Sequence, residues 1–140
     1  MIMSSAEKPR LEPIAERRLV VIGQPERQVS IVLGKPYPDS DPSGDWICPV
    51  QLCGIADDPV FEVHGLDAIQ ALMLALEKAR VELANSGASV TWAGGEWQGD
   101  IGIPRAVPHF YGREFAERVG RLVDVEIERL SEDLAKARAK

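Results

Sequence analysis

The 140-residue sequence has no long apolar run. Its longest, Ala71-Leu72-Met73-Leu74-Ala75-Leu76, is six residues, far short of the roughly 20 that a membrane-crossing helix needs. No membrane partner is therefore expected. Residues Met1 to Arg10 hold no apolar core of a secretory signal, so the expected compartment is the cytoplasm. Cysteine is scarce as well. Cys48 and Cys53 are too few for a disulfide scaffold. Five residues apart on one strand, they would point to opposite faces roughly 16 Å apart. Two reduced, mostly buried thiols are expected. Basic charge is also short: 16 Lys and Arg against 22 Asp and Glu leave a net charge of −6. A nucleic-acid footprint needs clustered Lys and Arg, so no such partner is expected.

What is present is ordinary for a globular chain, with 45% apolar and 27% charged residues. A chain of this length builds about one domain. The polar stretch 1–15, with Pro9 and Pro13, reads as a flexible tail, and 16–140 as a single α+β domain.

The chain punctuates itself. Arg17 to Gly23 contains Leu19-Val20-Val21-Ile22, a short β-branched run. Gln28 to Gly34 alternates with Val29, Ile31 and Leu33 on one side. Gly23-Gln24-Pro25-Glu26-Arg27 would join them as a hairpin with a longer loop. Residues 34–45 are rich in Pro, Asp, Ser and Gly and read as a loop. Trp46 to Cys53 forms a third strand with Trp46, Cys48, Val50 and Leu52 on one face. Pro49 cannot donate to a ladder, which predicts an edge strand or a bulge. Val60 to Val63 is the fourth strand, closing a four-stranded antiparallel meander.

The spacing then predicts a helix over 65–85, with Leu66, Ile69, Leu72, Met73, Leu76, Ala79 and Leu83 at helical intervals. Ala71, Leu74 and Ala75 make it apolar beyond one stripe, so cover on a second side is expected, from the C-terminal helix or a second subunit. Gln70 stands out among apolar neighbours: buried and hydrogen-bonded to the third strand, or exposed on a partner-facing side. Gly94-Gly95 predicts a two-residue hairpin that sets Trp92 opposite Trp97. A long helix over 113–136 follows, with Phe115, Val119, Leu122, Ile127, Leu130 and Leu134 as its stripe. Glu114–Arg118, Glu117–Arg121 and Glu132–Lys136 are its expected i,i+4 pairs.

Chemistry has few places to hide. A zinc site from Cys48, Cys53, His64 and His109 has the wrong spacing for tight-turn ligand pairs, so no metal is expected. No P-loop, dinucleotide fingerprint or nucleophile elbow is present, and no cofactor is expected. Asp100, Arg105, His109 and Tyr111 gather around a glycine-rich loop. There His109 with Asp100 and Tyr111 could do acid–base work beside an anion-binding Arg105. Otherwise those residues only shape a connection. His64-Gly65 could offer backbone N–H groups to an anion, but Glu62 and Asp67 oppose this, and the start of a helix explains both residues. Arg105, Trp92 and Trp97 are the candidate ligand-binding set. With Trp46 and Tyr37 the indoles could form a binding surface, or equally fill the core.

Three blocks, Asp45-Trp-Ile-Cys-Pro-Val-Gln-Leu-Cys-Gly54, Gly65-Leu-Asp-Ala-Ile-Gln-Ala-Leu-Met-Leu-Ala-Leu76 and Gly102-Ile-Pro-Arg-Ala-Val-Pro108, together resemble a small bacterial family of unknown function. The resemblance implies a bacterial source and a shared fold, and it transfers no catalytic residue. The function expected from the residues is a non-enzymatic interaction module, homodimeric or binding another protein. The alternative is a small enzyme or ligand-binding protein using the 99–111 loop.

Overall fold

In the computed structural model, which describes residues 9–108 and 110–139, the first two strands follow the alternation of their side chains. β1 (Pro13–Val21) buries Leu19 and Val21, and β2 (Gln24–Gly34) buries Val29, Ile31 and Leu33. β1 starts at Pro13, and Lys35 N–H donates to the Glu12 carbonyl just before it at 2.7 Å. The connection is also shorter than expected. Only Ile22 and Gly23 separate the strands, and the surplus Pro25, Glu26 and Arg27 bulge within β2 between the pairs Val21–Gln24 and Val20–Gln28. Residues 1–8 of the expected tail lie outside the described residues.

Among the described residues the sheet has six antiparallel strands, where four were expected. β3 (Tyr37–Pro38) and β6 (Val90–Trp92) are the additions, and β4 (Trp46–Cys53) and β5 (Val60–Gly65) complete the set. β5 lines one edge of β4, while β2 and then β3 line the other; β1 pairs outside β2, and β6 outside β1. The two-residue β3 forms because the chain, after leaving β2 at Gly34, resumes pairing on the same side of β4. Composition read that segment as loop throughout.

β4 is therefore an interior strand, not an edge. Its proline is accommodated by position. The β2 ladder ends at Val50 and the β3 ladder begins at Ile47, so Pro49 falls where neither requires its missing donor. Cys48, Val50 and Leu52 are buried on the inner face, with Trp46 packed against them. Both cysteines are free, Cys48 buried and Cys53 half-buried.

The helix α1 (Ala68–Asn85) follows β5. Asp67 caps it, its carboxylate accepting from Gln70 N–H at 2.7 Å, and Gln70 Oε1 accepts from Leu66 N–H at 2.6 Å. This reciprocal cap is what the half-buried Gln70 is for. The Gln70 side-chain oxygen is bonded here, within its own helix start, and not to the third strand. The buried face is Ala71, Ala75, Ala79 and Leu83, flanked by Leu72 and Leu76. Three alanines at four-residue intervals let the helix backbone come close to the sheet. At Gly65 a Cβ would collide with the backbone of Ala71. That close approach turns Leu66, Ile69 and Met73, expected on the core stripe, out to solvent.

The Trp hairpin does not form. Val90, Thr91 and Trp92 pair with Val21, Val20 and Leu19 of β1, and Trp97 is 66% exposed. A two-stranded ribbon on its own is marginal in water, whereas extending the sheet packs Trp92 against the core.

The chain divides into two compact units, Met1–Ala106 and Val107–Lys140. The second holds α2 (Arg113–Arg138), none of whose residues is buried. Its observed pairs differ from those expected: Arg113 holds Glu117, and Arg129 holds both Glu126 and Asp133. Among the described residues no helix is long and apolar enough to cross a membrane.

Candidate functional site

The loop after β6 is organised around Asp100. Its carbonyl accepts from Trp92 N–H at 3.1 Å and Thr91 Oγ1 at 3.0 Å. Its own N–H donates to the Trp97 carbonyl at 3.1 Å. One carboxylate oxygen accepts from Glu96 N–H at 3.1 Å, the other from Gly102 N–H at 2.9 Å. Every polar group of this residue is thus engaged in shaping residues 92–102. An Asx-type bond of this kind is the ordinary reason for aspartate in a tight loop.

Arg17, which was not among the residues singled out in the sequence, clamps the loop to the sheet. Its Nη1 donates to the carbonyls of Ile101 at 3.1 Å and Gly102 at 2.8 Å. Its guanidinium lies 4.0 Å from the centroid of the Trp92 ring. Gly102 has φ +71°, and a Cβ there would stand 2.5 Å from Trp92 Cε2. Glycine is required at that position for both reasons. The one signal for Arg17 in the sequence was a charged residue on the inward-facing parity of β1, two positions before Leu19.

Between the second half of α1 and this loop lies a cleft of about 570 Å³. Leu83, Val90 and Ile101, all buried, form an apolar lining with Ile103. Arg80, Asp100, Arg105 and Trp97 supply the rest of its chemistry. Arg80 is held by Glu77 through two hydrogen bonds, and Glu77 also accepts from Ala106 N–H at 3.1 Å. The Arg80 hydrogen bond, helped by Ala106 and the field of Arg105, holds the Glu77 carboxyl below the usual range against the opposing effect of burial. Burial pushes the Cys48 thiol up to about 11, and its Sγ faces the Gly34 carbonyl at 3.4 Å.

Of the candidate ligand-binding residues, Arg105 and Trp97 line this cleft and Trp92 does not. Of the candidate acid–base residues, Asp100 sits in the loop just described. Tyr111 belongs to the second unit, in a run of rings with centroids 4.5 Å from Phe110 and 5.2 Å from Phe115. His109 lies outside the described residues. Among the described residues no three metal-ligating side chains converge. His64 meets Asp39 at 3.8 Å on the surface.

No curated protein and no solved structure matches the chain. A family model does, over residues 15–105, and its description is Domain of unknown function (DUF6968).

Proposed function

The chain belongs to the DUF6968 family, and from that premise we propose that it is a bacterial, cytoplasmic interaction module that pairs with a second copy through α2. The observation that carries this reading is the state of α2. None of its 26 residues is buried, only Phe115 and Val119 being half-buried, and Leu122, Val123, Ile127, Leu130 and Leu134 are 48% to 62% exposed. Val119, Val123, Ile127, Leu130 and Leu134 recur at steps of four, four, three and four, a continuous apolar stripe along a helix roughly 39 Å long. Apolar surface of that extent marks an interaction site on a soluble protein. A second copy suits the helix because it carries charges of both signs, seven acids and seven bases over 112–140, so like helices do not repel as a whole.

The family match ends at Arg105, before α2 begins. The pairing helix is therefore a property of this chain beyond the matched segment. The non-catalytic part of the proposal is supported by Asp100, whose carboxylate oxygens both accept backbone donors within the loop. The two free thiols suit a reducing compartment.

Sedimentation equilibrium on the full chain tests the pairing. Twice the single-chain mass is expected for the wild type and the single-chain mass for Ile127→Asp/Leu130→Asp. A wild type that stays monomeric at high micromolar concentration overturns it.

A further inference from the structure

We infer that the cleft between α1 and the 97–105 loop binds a small organic anion with a flat apolar body. The inference is independent of α2 pairing, since every lining residue lies in the first unit. Three charged side chains line the cleft, and two are already occupied. Arg80 is spanned by the Glu77 carboxylate, and both oxygens of Asp100 accept backbone N–H groups. Arg105 is left. It is exposed, and among the described residues no carboxylate lies within ion-pairing distance of it. Its field reaches Glu77, whose carboxyl it helps to keep ionised, but that carboxylate is spent on Arg80 and Ala106.

The rest of the cleft is suited to carbon. The half-buried Ile103 and the outer edges of the buried Leu83, Val90 and Ile101 form an apolar floor, and Trp97, which also lines the cleft, stands open to solvent. An indole held at 66% exposure beside an apolar bed gains by covering a flat ring, while a guanidinium fixes a carboxylate or sulfonate at the mouth. The volume of about 570 Å³ lies within the range of small-molecule sites, which combine apolar walls with a few placed polar groups.

Titration calorimetry of the full chain with 2-naphthoate, and with uncharged 2-naphthalenemethanol as comparator, tests this. One molecule of 2-naphthoate per chain is expected. Arg105→Gln should weaken it by about tenfold or more and leave 2-naphthalenemethanol unchanged. Trp97→Ala should weaken both. Both side chains are exposed, so these variants keep the fold, and Ile127→Asp/Leu130→Asp should bind like the wild type. No 2-naphthoate binding at millimolar concentration overturns the inference. So does an affinity unmoved by either cleft variant, or one abolished by the α2 variant.

Discussion

The Arg17 guanidinium lies 4.0 Å from the Trp92 ring centroid while donating to two carbonyls of the loop beyond it. One side chain thus joins β1, β6 and the segment that forms the cleft wall. Arg17→Ala removes the stacking and both hydrogen bonds, and a loss of about 2 kcal/mol in unfolding free energy is expected. Arg17→Lys keeps the charge and a donor for the carbonyls but loses the planar face that lies over Trp92, so it should fall between. Urea denaturation of the three proteins measures the order. Gly102→Ala should destabilise in the same assay, because the added Cβ enters the space of both partners at a left-handed φ.

Asp100 predicts a local effect. Replacing it with Ala frees the amides of Glu96 and Gly102, and about 1 kcal/mol is expected to be lost. Hydrogen exchange should quicken over 93–102 and remain unchanged in β4. A uniform increase across the sheet would show that the residue holds more than its loop.

The pH dependence follows from Glu77. Its carboxyl titrates lower in the folded protein than in the unfolded chain. The stabilisation it supplies is therefore complete above the ordinary glutamate value near 4.3 and fades as pH falls below that. The stability difference between wild type and Glu77→Gln should be constant at neutral pH and shrink between about pH 5 and pH 3. A difference that grows on acidification would reverse the assigned sign.

Cysteine reactivity should separate the two thiols. Cys48 is fully buried, with its ionisation pushed up to about 11, and thiolate is the reactive form. Ellman's reagent at pH 8 should label one thiol per chain in the native state, Cys53, and two in denaturant. Cys53→Ser should abolish the native signal.

Much of the architecture was legible in residue patterns. Period-two alternation located Val29, Ile31 and Leu33, and the same parity placed Cys48, Val50 and Leu52 inward. The helix announced itself through apolar residues at helical intervals from Leu66 to Leu83, of which Ala79 and Leu83 are on the buried face. What escaped was everything decided by pairing at a distance. Trp92 has a local partner in prospect across Gly94-Gly95, yet β1 offers it a larger buried surface. Pro49 argues for an edge until the break between β2 and β3 is known. Leu66, Ile69 and Met73 match the helical period as well as the alanines do, and only close packing against Gly65 decides which face is buried. At the site, Arg105 and Trp97 do share a cleft, but Arg80, which no motif in the sequence marks, reaches it from α1.

Arg17 and Gly102 are 85 positions apart in the chain, and nearly the whole sheet and α1 intervene. Contacts of such long sequence separation form only after the intervening loop has been closed at an entropic cost. The meander and its helix can assemble from neighbours, whereas β6 and the loop behind it must wait for β1 to be in place. That late part is held by three strand pairs, the buried side chains of Val90 and Ile101, one aspartate and one arginine, and its long-range contacts make it a place for local opening. Any molecule that settles beside Trp97 would thus act as a latch on this late-closing corner, slowing its exchange without altering the sheet beneath it.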